Sequence, residues 1–136
     1  MSKYPSTFYR VSLKAVIRNE DNNVLVTKEG DYVWSFPGGG MEHGETEYET
    51  LAREMEEEAY ITAPFIARPL GADTVFVDHL NTWVLWIFYE VTFPEGLSYS
   101  AGKDVWEIEF KDPKLFEDSS NKWEQLVYKW ANKTPQ

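Results

Sequence analysis

From Phe8 to Ile17 the apolar residues Val11, Leu13, Ala15 and Ile17 occupy the odd positions and most even positions are polar, a two-residue period that predicts a half-buried β-strand. Asn19-Glu20-Asp21-Asn22-Asn23 reads as a turn, and Val24 to Thr27 starts a second short strand, so a hairpin is expected. A turn at Gly30-Asp31 leads to another strand over Tyr32 to Phe36. After Thr46 the period becomes helical: Tyr48, Leu51, Ala52, Met55 and Ala59 form one stripe, and Thr46 with Glu49 three residues on has the form of a capping box. A helix is therefore predicted from Glu47 to about Ala59.

Ile61 to Ile66 and Gly71 to Asp78 read as strands interrupted near Pro64 and Pro69. Trp83 to Val91 is apolar in both phases, which predicts a central strand covered on both faces. Pro94-Glu95-Gly96 turns the chain, and Asp104 to Phe110 alternates as a last strand. Trp123, Leu126, Val127 and Trp130 at i, i+3, i+4 and i+7 predict a closing helix over 122–133, with Ser120 or Asn121 as its cap. That stripe reads as core.

Composition narrows the class. At 136 residues the chain suits one domain, spanning 1–136, long enough to bury roughly two thirds of its surface. An apolar fraction of 43%, with 6 Trp, 8 Tyr and 8 Phe, excludes disorder and points to aromatic-rich sheets or a stacking site. Tyr32, Trp34, Trp83 and Trp86 are stacking candidates, with core packing the default for each. The net charge of −10 argues against polymeric nucleic acid, whose backbone needs a basic face, yet an acidic site that loads metal still accepts a small nucleotide. Without cysteine there is no disulfide, thiolate metal site or cysteine nucleophile. The N-terminus lacks an apolar signal core, and the longest apolar run, Trp83 to Tyr89, is too short to span a bilayer, so a cytoplasmic protein with no membrane partner is expected. His43 and His79 are isolated and form no ligand cluster.

The candidate chemistry lies between Phe36 and Ile61. Phe36-Pro37-Gly38-Gly39-Gly40 is a glycine-rich loop that runs through a polar turn into the acidic helix, a way of bringing phosphate and divalent metal together. Glu54, Glu57 and Glu58 fall on one helix face, where like charges three and four apart disfavour the helix by a few tenths of a kcal/mol per pair. A solvated acidic face is the plain reading of such a run. A hard divalent cation, magnesium or manganese, is the functional one, because carboxylate oxygens suit both and magnesium shares its remaining positions with phosphate and water. Arg53 and Glu45, eight residues apart, are placed to pair across the turn as a strut for the loop.

Gly39, five residues, Glu45, seven residues, then Arg53-Glu54-Met55-Glu56-Glu57-Glu58-Ala59-Tyr60-Ile61 resembles the Nudix box, with eight of nine specified positions in agreement. The departure is Tyr60, where the family has the glycine that ends the helix, so either an altered exit or a strained tyrosine is expected. The resemblance implies an α/β sandwich with a mixed sheet, the box helix on one face and the C-terminal helix on the other. It implies a divalent-metal-dependent hydrolase of a nucleoside diphosphate linked to another group. Glu54, Glu57 and Glu58 would hold Mg²⁺ or Mn²⁺, with the Gly38 carbonyl completing the shell, and one of the three, Glu54 before the others, would double as base; Arg53 belongs to the same catalytic set. Gly38, Gly39 and Gly40 would approach the substrate phosphates, and Lys28 matches a basic residue that often meets them. Asp104, with Glu107 second, matches a further carboxylate outside the box. A nucleoside triphosphate pyrophosphatase acting as a monomer or homodimer is the expected activity, with ADP-ribose or a nucleotide sugar as the runner-up substrate. A non-catalytic nucleotide-binding module and a plain acidic domain with a basic protein partner are the alternatives.

Overall fold

The computed structural model describes residues 8–29 and 33–135. The lead-in at 1–7, the Gly30-Asp31 turn and Tyr32 lie outside the described residues. The elements are β1 (Tyr9–Val16), β2 (Val24–Lys28), β3 (Trp34–Ser35), β4 (Gly38–Gly40), α1 (Glu47–Ala59), β5 (Ile66–Val77), β6 (Thr82–Thr92), β7 (Glu107–Lys111) and α2 (Lys122–Ala131).

Two sheets carry the fold. A four-stranded mixed sheet runs β4-β1-β6-β5, with β1 and β6 parallel and the other neighbours antiparallel. A three-stranded antiparallel sheet runs β3-β2-β7. The expected β1–β2 hairpin is thus a corner: after the Asn19–Asn23 turn the chain keeps little more than the Arg18–Val24 bridge and the bond from Leu25 N–H to the Ile17 carbonyl, and β2 pairs elsewhere. Its residues Val24, Leu25 and Val26 are all fully buried, so packing on both sides wins over local pairing. Residues 61–65 form no strand, and β5 instead runs unbroken past Pro69, with the register shifting at Pro69/Gly71. Proline survives there because β5 is the edge of the sheet.

The alternation in β1 sorts side chains between two cores. Leu13, Ala15 and Ile17 join Leu51, Met55 and Ala59 of α1, whereas Val16 faces the side of α2 with Phe36, Phe88, Val127 and Trp130. β6 is the central strand and splits likewise, Tyr89 and Val91 towards α1 and Phe88 towards α2. The two helices therefore cover opposite faces of one mixed sheet. Trp130 stacks on Phe88 with ring centroids 4.7 Å apart, and a Cβ at Gly71 would lie 2.5 Å from the Trp130 ring, so only glycine lets α2 come this close. Among the described residues no helix is long and apolar enough to cross a membrane.

Both ends of α1 are tightly capped. The Thr46 hydroxyl accepts from the Glu49 N–H at 3.2 Å, and the Thr46 N–H donates to Glu49 Oε1 at 3.0 Å. At the other end Tyr60 adopts the left-handed conformation (φ 50°, ψ 32°) itself, so the helix leaves by the usual route with an unusual residue. Tyr60 N–H and Ile61 N–H satisfy the Glu56 and Met55 carbonyls. Ser100 and Gly102, from the segment before β7, donate to the Ala59 and Glu58 carbonyls at 3.0 and 2.8 Å. α2 starts at Asn121, whose side chain accepts from the N–H groups of Trp123 and Glu124.

Tyr60 is 59% exposed, so its ring contributes little packing against the Cβ conflict of a left-handed residue. Tyr60→Gly is expected to stabilise the fold by roughly 0.5–1 kcal/mol in chemical denaturation. A measured loss of stability would show instead that the ring holds the helix exit in place.

Candidate active site

Local sequence puts the glycines against the acidic helix. Gly38 to Gly40 is extended backbone paired with β1, Leu13 opposite Gly39, so the expected loop is an edge strand laid beside α1. A Cβ at Gly39 would lie 2.6 Å from Glu54 Oε1, and a Cβ at Gly38 would collide with the Leu13 carbonyl. Glycine at these positions is what allows a buried carboxylate to touch the strand.

Arg53 ties the two elements together. Its Nε donates to Glu45 Oε2 at 2.7 Å, and Nη2 donates to Glu45 Oε1 at 3.0 Å and to the Gly40 carbonyl at 2.9 Å. Nη1 donates to Glu54 Oε1 at 2.9 Å and reaches Glu57 at 3.5 Å. Glu45 also accepts from the Thr50 hydroxyl and the Glu42 N–H, each at 2.8 Å. Arg53, followed by these other donors, holds the Glu45 carboxyl down to about 2, and Glu45 in turn raises the already high pKa of Arg53.

Glu54 is buried, and Glu58 accepts from the Gly38 N–H at 3.3 Å while pressing against Glu54. Burial pushes the Glu58 carboxyl up to about 8, opposed by the nearby charge of Lys14 and reinforced by Glu29 and Glu54. The expected cluster of Glu54, Glu57 and Glu58 is in this structure a pair. Glu57 is largely exposed and turned to Arg53, and no group of three His, Cys, Asp or Glu among the described residues is arranged to hold a metal ion. The donor chemistry of the pair nevertheless fits a hard cation: two adjoining carboxylates, one of them in a cradle that a Cβ would fill.

The other expected site residues are spread more widely. Lys28, on β2 of the second sheet, lies 3.7 Å from Glu107 Oε2 and over the Trp34 ring. Asp104 is exposed in the turn that follows Gly102. The Gly38 carbonyl accepts from Lys14 Nζ at 3.4 Å. His43 is an exposed loop residue. Trp83 packs with Tyr9 and Phe76 at the strand ends.

Sequence reading missed Lys14. Its side chain is buried, its ammonium donates to the Phe36 and Gly38 carbonyls at 3.4 Å, and it lies 4.8 Å from the centre of the Trp86 ring. As a polar residue at an even position of an alternating strand, Lys14 reads from sequence as solvated. The signal available was that β1 pairs along its whole length with β6, the strand apolar in both phases, and so lies inside the sheet between β4 and β6. Lys14, Arg10 and Ser12 line a cavity of about 970 Å³ beside the glycine strand, with Trp86, Trp123 and His79 on its other walls. Of the stacking candidates within the described residues, Trp86 is the one that reaches this cavity.

The model of the NUDIX domain family matches residues 8–130, and the chain belongs to that family. It is 39% identical over 65 residues to an RNA pyrophosphohydrolase of Halorhodospira halophila, a match covering 47% of this chain and 35% of the relative. It is 32% identical over 74 residues to an 8-oxo-dGTP diphosphatase of Escherichia coli strain K12, covering 50% and 57% respectively. The chain therefore spans about a third to somewhat over half of these curated relatives. Its fold is similar to the crystal structure of a MutT protein from Methanosarcina mazei Go1, with TM-score 0.76 at 18% identity over 95% of this chain and 96% of that one.

The Arg53–Glu45 pair gives a pH signature. A depressed folded-state pKa contributes stability that is fully present above the unfolded value near 4.5 and is lost as the pH falls through about 2. Glu45→Gln should therefore melt below the native chain at pH 7, with the gap closing between pH 4.5 and 2. A gap independent of pH would mean that the pair adds no charge-dependent stability.

Proposed function

We propose that the chain is a divalent-metal-dependent hydrolase that cleaves a phosphoanhydride in a nucleoside diphosphate linked to another group, most simply a nucleoside triphosphate giving a nucleoside monophosphate and pyrophosphate. The observation that carries this reading is buried Glu54 with half-buried Glu58 beside it, against a strand of three glycines. Family membership supports it, as does the likeness to an RNA pyrophosphohydrolase and an 8-oxo-dGTP diphosphatase. The net charge of −10 favours a free nucleotide over a polymer end.

In this reading Glu54 and Glu58 hold a magnesium or manganese ion, and Glu57 is the third carboxylate on the same helix face. Such an ion, when bound, neutralises charge developing on the phosphate oxygens. Glu54 accepts the proton of the attacking water, with Arg53 fixing its carboxylate through the 2.9 Å bond to Oε1. Gly38 to Gly40 supply backbone that a phosphate approaches without a side chain in the way. The second pyrophosphatase substrate class, ADP-ribose or a nucleotide sugar, fits the same site and differs only in the leaving group.

Phosphate and pyrophosphate release is measured from nucleoside triphosphates, ADP-ribose, dinucleoside polyphosphates and nucleotide sugars, with and without magnesium or manganese. Metal-dependent turnover of one class is expected, and Glu54→Gln should lower it by roughly a hundredfold or more while leaving the circular dichroism spectrum unchanged. No turnover of any substrate, together with metal-dependent thermal stabilisation by a nucleotide, would make the chain a binding module instead.

A further inference from the structure

The cavity beside the glycine strand has an uneven distribution of polar chemistry. Val84, Trp86 and Trp123 provide apolar wall, with the two tryptophan rings stacked at 5.0 Å, which suits a flat ring better than a phosphate. The acids that line it, Glu29 and Asp78, are both exposed and so stand at the rim. The buried polar residues lining it are Ser12 and Lys14, a hydroxyl and an ammonium. Among the described residues the ammonium's hydrogen bonds are both long, 3.4 Å, and its charge also acts on nearby Glu58, so its donors are held in place without a short partner. A lysine has three donors and no acceptor, so the floor favours a partner that presents acceptor atoms.

We infer that Lys14 is a specificity-determining residue that selects a base carrying a ring carbonyl over one carrying an amino group at the same position. An ammonium accommodates the adjoining O6 and N7 acceptors of a 6-oxopurine, whereas a 6-aminopurine puts a donor against it. Trp86 keeps the lysine upright through its ring face, and the carbonyls of Phe36 and Gly38 fix its height. The inference rests on the nucleotide reading of the site and adds to it which nucleotides are taken.

The test measures binding of inosine and adenosine triphosphates to the full chain by calorimetry and tryptophan fluorescence, with divalent metal chelated so that neither nucleotide turns over. These two differ at the 6-position and the N1 proton beside it. The native chain is expected to prefer the inosine form by about tenfold or more, the scale of one hydrogen bond to a charged group. Lys14→Met should bring the two affinities within about twofold, and Lys14→Arg, which keeps a cation on the floor, should retain the preference. Equal affinities in the native chain, or a preference that survives Lys14→Met, overturns the inference. Where Lys14→Met does not fold, uridine against cytidine triphosphate in the native chain decides, since a 4-oxo preference is expected there too and its absence refutes the role. Turnover of the same nucleotides with magnesium separates the two readings. A Lys14-dependent preference without turnover sinks the hydrolase and upholds this inference, whereas turnover indifferent to the 6-position with equal binding does the reverse.

Discussion

One guanidinium joins the parts of the candidate site. Arg53 uses its fixed fork of donors on Glu45 of the turn, on the carbonyl of Gly40 and on Glu54 of its own helix, so the turn, the glycine strand and the acidic helix share one hub. Lysine has no planar fork, and its donors sit on one nitrogen, so it would not reproduce the two-pronged contact to Glu45 while also reaching Glu54. The arrangement also relieves the helix: the acidic face of α1 has Arg53 within 3.5 Å of both Glu54 and Glu57, which offsets part of the repulsion that their spacing creates. The cost falls on Glu58, which lies out of reach of the fork and relies on Lys14 across the strand.

What could be read from the sequence was what is settled within a turn or two of chain. The bounds of α1 and its capping box follow from Thr46, Glu49 and the apolar stripe, because each of those contacts spans only a few residues. The central place of β6 follows from apolar residues in both phases. The Glu45–Arg53 contact is similarly local, a matter of eight residues around one bend. The division into two sheets was not legible, because whether β2 pairs with β1 or with β7 is decided by contacts 79 to 87 residues apart. Lys14 was hidden for the same reason: alternation specifies two faces but not whether α2 will come to cover the second one.

The expected carboxylate triad shows a different limit. Helical periodicity places Glu54, Glu57 and Glu58 on one side, yet a side chain on the flank of that side chooses between the cleft and the nearest cation, and Glu57 takes Arg53. Periodicity fixes Cβ positions; carboxylate positions depend on charge balance. The Arg53–Glu57 contact is a surface ion pair of small worth, so it holds Glu57 only loosely.

The left-handed tyrosine that ends α1 bears on how such motifs are written. Four carbonyls of the last turn find donors, two from the helix exit and two from the irregular segment at Ser100 and Gly102. With the terminus held from both sides, the backbone angle at position 60 is imposed by its surroundings rather than by the residue that occupies it. A consensus glycine at that place records the residue of lowest strain, and a search that insists on it would pass over chains in which distant parts of the fold enforce the same geometry.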